Sequence, residues 1–358
     1  MVKKYVYVAI FGVLALATSC SATKQHTLSA LEPASVDLAT NITKIGIINE
    51  STASPRSEFK SRLEQMLSQR YQNLEKEGIS AAITGLFEEL QKDQRFDAIQ
   101  LIADVNIGGD GLVSSENIPW QTIKEICDTH KVDAIFSLAY YEADTQLSLK
   151  KTAVEEQNMM RQMVKVPGHE VTLETLIENG WRIYDPYHKT VLDELVFNEQ
   201  ITSTAQGTNP MYALNAITDR RDAVLEQSMQ AGSSYGKRLL PQEKELVRDY
   251  YVRGTEKFME AKQLAADGNW HAAAELWEQE TAHAAIKIQA KACYNMAFYN
   301  EMNGNLEGAM EWAQKAIDLA ENTAATTYLL ALKERIAQNK IVAQQLQRSH
   351  LSASLEMD

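Results

Sequence analysis

The sequence predicts an α+β protein, in which a small mixed-sheet α/β domain with flanking helices precedes an all-α domain of helical repeats. Short β-branched runs alternate with helically spaced apolar residues in the first part, and two similar glycine-containing stretches recur in the second. A third observation is an apolar run at the N-terminus, followed by a polar stretch. The predicted segments are a signal peptide over 1–19, a flexible tether over 20–42, the α/β domain over 43–241, the helical domain over 242–348 and a disordered tail over 349–358.

The first 20 residues have the pattern of a secretory signal. Lys3 and Lys4 precede an apolar run over 5–17, and small residues follow it up to Cys20. The run has about 13 residues, whereas a helix that spans a bilayer needs roughly 20. A cleaved signal is therefore favoured over a transmembrane anchor. One alternative is a soluble secreted protein, cut nearby, in which Cys20 is an ordinary thiol.

The small residues directly before Cys20 resemble the lipobox of bacterial lipoproteins. That resemblance implies cleavage before Cys20, acylation of this residue and anchoring in a membrane through its lipid. Ala17 departs from the motif, which usually has Leu three positions before the cysteine. Ser21, rather than Asp, follows the cysteine, and by the same resemblance this implies an outer-membrane protein that faces the periplasm.

Composition excludes one large class of partners. The chain has 35 basic and 48 acidic side chains, so its net charge is −13. Such a chain repels phosphate backbones, and no basic stripe stands out in the sequence, so no nucleic-acid partner is expected. Cys127 and Cys293 fall in different predicted domains and are expected to be buried thiols rather than a disulfide.

The α/β domain is predicted from periodicity. We expect the following elements: a strand over 45–48, helices over 57–78 and 81–97, a strand over 98–102, a helix around Ile123 and Cys127, a buried strand over 132–141, a hairpin over 170–200 and one helix over 211–241. The stretch 150–168 is expected to be an excursion between strands. Its residues Met159, Met160 and Met163 have two interpretations, either a contact surface or a cover over a neighbouring core.

The loop over 104–120 is rich in glycine and resembles the start of a calcium loop. Such a loop needs an oxygen ligand at its fifth position and Glu at its twelfth. Those positions hold Gly108 and Ser115, so a surface loop without a metal is predicted.

The strand "VDAI" over 132–135 and the following "WRIYDPYHKTVLDE" resemble a known periplasmic domain. It is shared by the TolB amino-terminal and curli-secretion lipoprotein groups. The arrangement is also similar to a family of uncharacterised outer-membrane lipoproteins that append helical repeats to such a domain. Over 43–241 this resemblance implies a small mixed sheet with helices on it, no cofactor and no catalytic residues.

The helical domain contains an internal repeat. "GNWHAAAELW" from Gly268 and "GNLEGAMEWA" from Gly304 align at an offset of 36 residues (304 minus 268), with Ala273 aligned to Ala309. Helix-turn-helix units with a period of about 34 residues are typical of tetratricopeptide repeats. The leading helix is expected over 243–266, and a capping helix is expected over 323–347.

The resemblance to tetratricopeptide repeats implies a peptide-binding groove lined by the first helix of each unit. The residues that it places there are Lys291, Tyr294, Asn295, Phe298 and Glu301 in the second unit, and Phe258 and Lys262 in the first. An alternative is that this face packs on the α/β domain, because two repeats are fewer than usually stand alone.

No catalytic or zinc motif is present in the sequence. The 7 histidines form no H-x-x-x-H pair, and the G-x-S-x-G match over 232–236 lies inside the helix predicted over 211–241 rather than in a strand-to-helix turn. The sequence therefore favours a non-catalytic envelope lipoprotein, a binding or assembly adaptor with an envelope protein or peptide as its partner and no metal or cofactor. The alternative is a surface lipoprotein that captures glycans or nutrients. Exposure of Trp120 and Trp181 together on one surface would favour this alternative.

Overall fold

The computed structural model describes residues 22–51, 62–70, 73–103 and 119–355. The predicted signal peptide, Cys20 and nearly all of the glycine-rich loop over 104–120 lie outside these residues. The chain forms two compact units, one of residues up to 33 together with 242–344, the other of 34–241 together with the chain from 345 onward. The N-terminal region is rich in sheet and the C-terminal region is helical, which confirms the mixed fold class in its coarse form.

Within the described residues the strands are β1 (Thr23–Glu32), β2 (Lys44–Asn49), β3 (Ala98–Leu101), β4 (Ala134–Gln157), β5 (Met163–Asp185), β6 (Thr190–Gly207) and β7 (Gln242–Tyr251). The helices are α1 (Arg62–Arg70), α2 (Leu74–Leu90), α3 (Trp120–His130), α4 (Pro210–Ala216), α5 (Arg220–Lys237), α6 (Glu256–Ala266), α7 (Trp270–Glu280), α8 (Ile286–Met302), α9 (Leu306–Leu319) and α10 (Thr323–Leu355).

The larger unit contains a five-stranded sheet of order β3-β2-β4-β5-β6. Strand β2 pairs in parallel with β3 and β4, whereas β5 and β6 continue antiparallel. Helices cover both faces around β2, which explains why Ile45, Ile47 and Ile48 are all buried. Ile45 and Ile47 face a core with α2 and α5, while Ile48 faces Ile123 and Cys127 of α3.

The strands β4, β5 and β6 form a long antiparallel arm. The hairpin predicted over 170–200 is confirmed, with its turn between Asp185 and Thr190. The prediction of an irregular excursion over 150–168 is wrong, because β4 and β5 stay paired out to Gln157 and Met163. At its far end this arm is two-stranded and solvated, so neither face needs the clean apolar alternation that marks a half-buried strand.

Helices α2 and α5 cross with their backbones in contact. A β-carbon at Gly85 would lie 2.0 Å from the carbonyl oxygen of Met229, and one at Gly232 would lie 1.9 Å from that of Ala82. The predicted helices over 57–78 and 81–97 correspond to the shorter α1 and to α2, which begins at Leu74. The single helix predicted over 211–241 is two helices, because the backbone at Ile217 is extended.

In the smaller unit, β1 and β7 form a two-stranded antiparallel ribbon. Their register runs from Thr23 opposite Tyr251 to Glu32 opposite Gln242. The prediction of a flexible tether over 20–42 is therefore wrong for the strand β1. The leading helix predicted over 243–266 is also wrong in its first half, since β7 ends at Tyr251 and α6 begins only at Glu256. Both strands are largely polar, because only one face of the ribbon packs on the helices.

Two helical hairpins, α6–α7 and α8–α9, have equivalent turns at the predicted offset. Gly268 and Gly304 have positive φ angles of 80° and 77°, a conformation that favours glycine. Asn269 and Asn305 follow, and each side chain accepts a hydrogen bond from a backbone N–H of the next helix. Helix α10 continues to Leu355, so the described part of the predicted disordered tail over 349–358 is helical.

Candidate functional site

The predicted peptide-binding face on α8 is buried beneath β7, and Phe258 of α6 lies in the same apolar core. Phe258, Asn295 and Phe298 are fully buried, and Tyr294 and Glu301 are nearly so. Lys262 and Lys291 are half-buried. All seven residues belong to the same unit as the β1–β7 ribbon. On α8 the groove is filled by the protein's own chain, because β7 contacts its residues directly.

Asn295 clamps the backbone of β7. Its Oδ1 accepts a hydrogen bond from the backbone N–H of Tyr251 at 2.7 Å, and its Nδ2 donates to the carbonyl of the same residue at 2.7 Å. Both polar atoms of a buried amide are thus matched to one residue of the ribbon. Lys291 completes the contact, because its Nζ donates to the carbonyl of Arg253 at 3.3 Å and lies 5.4 Å from the centre of the Tyr251 ring.

Aromatic contacts hold the ribbon against α8. Phe298 stacks on Tyr250 of β7 with ring centres 5.4 Å apart and an interplanar angle of 15°. His26 of β1 meets the same ring edge-on at 5.9 Å. Tyr294 packs edge-on against Tyr251 at 5.2 Å. Such pairs each add stabilisation beyond the area that they bury.

Glu301 is the centre of a buried ionic network. Its carboxylate accepts from Arg248 of β7 at 2.9 and 3.1 Å, from Tyr328 of α10 at 2.6 Å and from Arg335 of α10 at 2.6 Å. Burial alone would raise the pKa of Glu301, but the hydrogen bonds from Arg248 and Tyr328 outweigh it, so this pKa lies below its ordinary value. The carboxylate stays charged and ties β7 to two helices.

The prediction of an open partner-binding face is therefore wrong for Tyr294, Asn295, Phe298, Glu301 and Phe258. The β1–β7 ribbon covers this face within its own unit, whereas the alternative had named the α/β domain as the covering element. The signal for this was present in "ELVRDYYV" over 245–252, where β-branched and aromatic residues favour a strand directly before the first repeat.

A second polar cluster lies where β2 ends. We call Glu50, Ser137, Arg182, Tyr184 and Glu194 the Glu50 cluster. The Glu50 carboxylate accepts from Ser137 Oγ at 2.6 Å and from the Tyr184 hydroxyl at 3.0 Å. Arg182 donates from Nη1 to the Tyr184 hydroxyl at 3.1 Å and from Nε to Glu194 at 2.8 Å. Sequence reasoning missed this cluster.

The position of the Glu50 cluster is one where α/β sheets often bind ligands. The chain leaves β2 for β3 on one side and later returns to β4 on the other, so the carboxyl end of β2 is a topological switch point. A glutamate directly after "KIGIIN" was the available signal. The hydrogen bonds described above nevertheless run among the cluster's own members. Burial, followed by the charge of Glu50, raises the pKa of Tyr184 well above its ordinary value, so the phenol keeps its proton.

Three methionines project from the far end of the β4–β5 hairpin. We call Met159, Met160 and Met163 the methionine tip. Their exposed fractions are 106%, 76% and 62%, and no other stretch of five positions among the described residues holds three large apolar side chains that are more than half exposed. The interpretation that these residues cover a neighbouring core is therefore wrong, and the contact interpretation is favoured.

The backbone of the tip is a well-formed turn. Asn158 and Gln162 are joined by a backbone hydrogen bond of 2.9 Å, and the Asn158 side chain accepts from the N–H groups of Met160 at 2.9 Å and Gln162 at 3.0 Å. Arg161 adopts a positive φ of 59°. These bonds hold Met159 and Met160 on an ordered loop with their side chains in solvent.

The tryptophans do not form an exposed platform. All five are described, and none is exposed. Trp181 is fully buried against Tyr235, and Trp120 packs edge-on against Tyr184 with ring centres 6.0 Å apart. This placement does not favour glycan capture through Trp120 and Trp181.

The two cysteines of the described chain are free and buried, as predicted. Within the same residues, no group of three or more His, Cys, Asp or Glu side chains could hold a metal ion.

None of the helices in the described ranges combines the length and the apolar content that crossing a bilayer requires.

Fold and sites together define a mixed α/β protein with a helical unit whose groove holds a β-ribbon. The chain belongs to the family described as "Domain of unknown function (DUF8603)", whose model matches residues 42–251, more than half of the chain. A second model, "Domain of unknown function (DUF6340)", matches residues 259–334. No curated protein matches the sequence at a significant level.

Two solved structures show faint similarity. One is a homologue of the neuraminyllactose-binding hemagglutinin from Helicobacter pylori, with 10% identity, 55% of this chain and 88% of that chain covered, and a TM-score of 0.26. The other is the PelC dodecamer from Paraburkholderia phytofirmans, with 7% identity, 59% and 96% covered, and a TM-score of 0.22. At these TM-scores the likenesses say nothing about the function of this chain.

Proposed function

We propose that this protein is a lipid-anchored, non-catalytic binding or assembly adaptor of the bacterial cell envelope. In this proposal Cys20 carries the lipid, the anchor lies in the outer membrane and the folded units face the periplasm. The sequence before Cys20 supports the anchor. The equivalent turns at Gly268 and Gly304 support an assignment of the two helical hairpins as tetratricopeptide-like repeats.

The partner contact is assigned to the methionine tip rather than to the repeat groove. One observation carries this choice: the groove is occupied by β7, while the methionine tip is the most exposed apolar cluster of the described residues. Methionine side chains are flexible and polarisable, so they fit irregular apolar pockets on a partner. Glu155 and Glu156 flank the tip together with Arg161 and Lys165, and charges of both signs suit a protein surface.

The buried charges support a binding role rather than a reaction. Glu301 is shared among Arg248, Arg335 and Tyr328, all of which hold the ribbon and the helices together. The Glu50 cluster likewise joins β2, β4, β5 and β6 through side-chain hydrogen bonds. Each of these groups serves a structural contact.

Two experiments test the proposal. Cys20→Ala should release the protein from the membrane fraction and abolish incorporation of labelled palmitate, and a variant that stays acylated would contradict the anchor. A photoreactive residue at position 160, introduced in living cells, should crosslink to one envelope protein. That protein, once purified, should bind Met159→Ser/Met160→Ser at least about tenfold more weakly than wild type, which corresponds to about 1.4 kcal/mol.

The matched control is Met259→Ser/Leu330→Ser, which removes two apolar side chains that are 58% and 62% exposed elsewhere. This control should bind like wild type. If the tip variant also binds like wild type, the tip is not the contact. If no protein crosslinks while the purified chain binds oligosaccharides, the alternative of a glycan- or nutrient-capture lipoprotein is favoured.

A further inference from the structure

Strand β1 begins immediately after the proposed lipidation site. Only Ser21 separates Cys20 from Ala22, whose carbonyl accepts a hydrogen bond from Val252 N at 3.0 Å. A chain of two residues spans at most about 7 Å between Cα atoms. Thr23 is already paired with Tyr251. A lipid on Cys20 would therefore hold this end of the smaller unit directly at the headgroups, without the long tether that the sequence suggested.

The end of the unit beside Ala22 is basic. We call Lys24, Arg253, Ile286, Lys287 and Lys291 the anchor-proximal surface. Arg253 follows Val252, and its carbonyl accepts from Lys291 of α8 at 3.3 Å. Gly254 lies against the first turn of α8, because a β-carbon there would come 2.9 Å from Ile288 Cδ1. Ile286 and Lys287 begin α8 directly before Ile288, so they lie at the end of the helix that Gly254 contacts.

The charge of this surface is opposite to that of the whole protein. Four cations lie here against two exposed carboxylates, Glu256 in the first turn of α6 and Asp249, which lies opposite Gln25 in the ribbon. The chain as a whole carries −13. Helices α6 and α8 both begin at this end, so the positive ends of their dipoles point the same way. Ile286 adds an apolar side chain that is 57% exposed.

We infer that the anchor-proximal surface binds the anionic headgroups of the membrane that holds the lipid anchor. The inference rests on the proposed anchoring at Cys20. Cations around an exposed apolar side chain are the chemistry by which a folded surface adds a second attachment to a lipid anchor. The consequence is a fixed orientation, in which the starts of α6 and α8 face the bilayer and the Asn303–Asn305 turn faces away.

The test uses the full mature chain from Cys20, coupled through that thiol to a maleimide lipid. Coupling is selective because Cys127 and Cys293 are buried. Hydrogen exchange is then compared on vesicles of phosphatidylcholine with and without phosphatidylglycerol. We expect slower exchange over 252–256 and 284–290 only when phosphatidylglycerol is present, and no slowing over 303–306, which lies about 25 Å away along α8.

Arg253→Glu/Lys287→Glu should abolish this protection. Lys333→Glu/Lys340→Glu makes the same change in charge at exposed positions on α10 and should retain it. The inference is overturned if the protection is absent, if it appears equally over 303–306, or if both variants lose it alike. Unfolding midpoints of both variants, expected to match wild type, separate loss of binding from loss of fold.

The chemical coupling separates this inference from the proposed function. If Cys20 is not acylated in the bacterium but the coupled protein is protected on anionic vesicles, the anchor proposal fails and the surface stands. If Cys20 is acylated and the coupled protein shows no protection, the anchor stands and the surface is refuted.

Discussion

Arg248 on β7 donates two hydrogen bonds to Glu301 on α8, from Nε to Oε2 at 2.9 Å and from Nη2 to Oε1 at 3.1 Å. Glu301 is buried, most of the Arg248 side chain is covered, and the pair joins a strand to a helix 53 positions further along the chain. Two parallel bonds between a guanidinium and a carboxylate fix both distance and orientation. The β1–β7 ribbon is thus fixed to the helices of its unit by a specific side-chain pair.

Glu301→Gln should destabilise the protein by about 3–5 kcal/mol, because Arg248 and Arg335, whose side chains are only 17% and 13% exposed, lose the carboxylate that neutralises them. Urea unfolding monitored by circular dichroism measures the change. Glu311→Gln removes an exposed carboxylate from the neighbouring helix α9 and should change stability by less than about 0.5 kcal/mol. Equal effects of the two substitutions would show that the network contributes nothing specific.

The same carboxylate predicts a dependence of stability on pH. The pKa of Glu301 is lower in the folded protein than its ordinary value of 4.5. The unfolded chain therefore binds this proton more readily, and the contribution is complete above about pH 4.5 and is lost as the pH falls through the folded pKa. Below pH 4.5 the free energy of unfolding should decline less steeply for Glu301→Gln than for wild type. Parallel curves would contradict the assignment.

Tyr294→Ala/Phe298→Ala should act on folding before it acts on any partner. Phe298 stacks on Tyr250 and is fully buried, and truncation of such a side chain costs about 3–5 kcal/mol. We expect a lower unfolding midpoint and faster proteolysis of the β1–β7 ribbon. Met259→Ala, at an exposed position of α6, is the control and should leave the midpoint unchanged. A double variant as stable as wild type would indicate an open groove.

The sequence alone could predict features that leave a local pattern, but not the pairing of distant polar strands. A buried sheet was predictable from Ile45, Ile47 and the strand over 132–141, because their apolar side chains fill a core. Two equivalent turns were predictable from Gly268 and Gly304, because a turn with a positive φ angle favours glycine. The ribbon was missed because Thr23–Glu32 is mostly polar and its partner lies more than 200 positions away. Backbone pairing of that kind leaves little trace in local composition.

The candidate sites also divide into features that the local sequence predicts and features that depend on residues distant in the chain. The burial of Cys127 was predictable from its place on the apolar face of α3. The Glu50 cluster as a whole was not predictable, because Ser137 and Arg182 lie on strands that only the sheet order brings beside Glu50. The sequence signal for it was the glutamate directly after β2. Tyr294 and Phe298 were recognised as lining a groove, but the element that fills the groove precedes the repeats in the chain.

Burial also predicts that the two structural cysteines are unreactive. Burial, followed by the charge of Asp128, raises the pKa of Cys127 to about 12. At pH 8 the thiolate fraction is then on the order of 10⁻⁴. In a Cys20→Ser chain, a maleimide should label neither Cys127 nor Cys293 in the native state and both in urea. Rapid native labelling of either residue would contradict the packing.

The helix crossing predicts a reversal of ordinary helix propensity. Gly232→Ala would stabilise an isolated helix by up to about 1 kcal/mol. In the folded unit the new methyl group would lie 1.9 Å from the carbonyl oxygen of Ala82, which is backbone and cannot rotate away. Helices α2 and α5 would have to separate, so a loss of about 1–3 kcal/mol is expected. Gln230→Ala, at an exposed position of α5, is the matched control and should be neutral or slightly stabilising. Urea unfolding of both variants tests this, and a Gly232→Ala protein as stable as the control would mean that the two helices do not cross in contact.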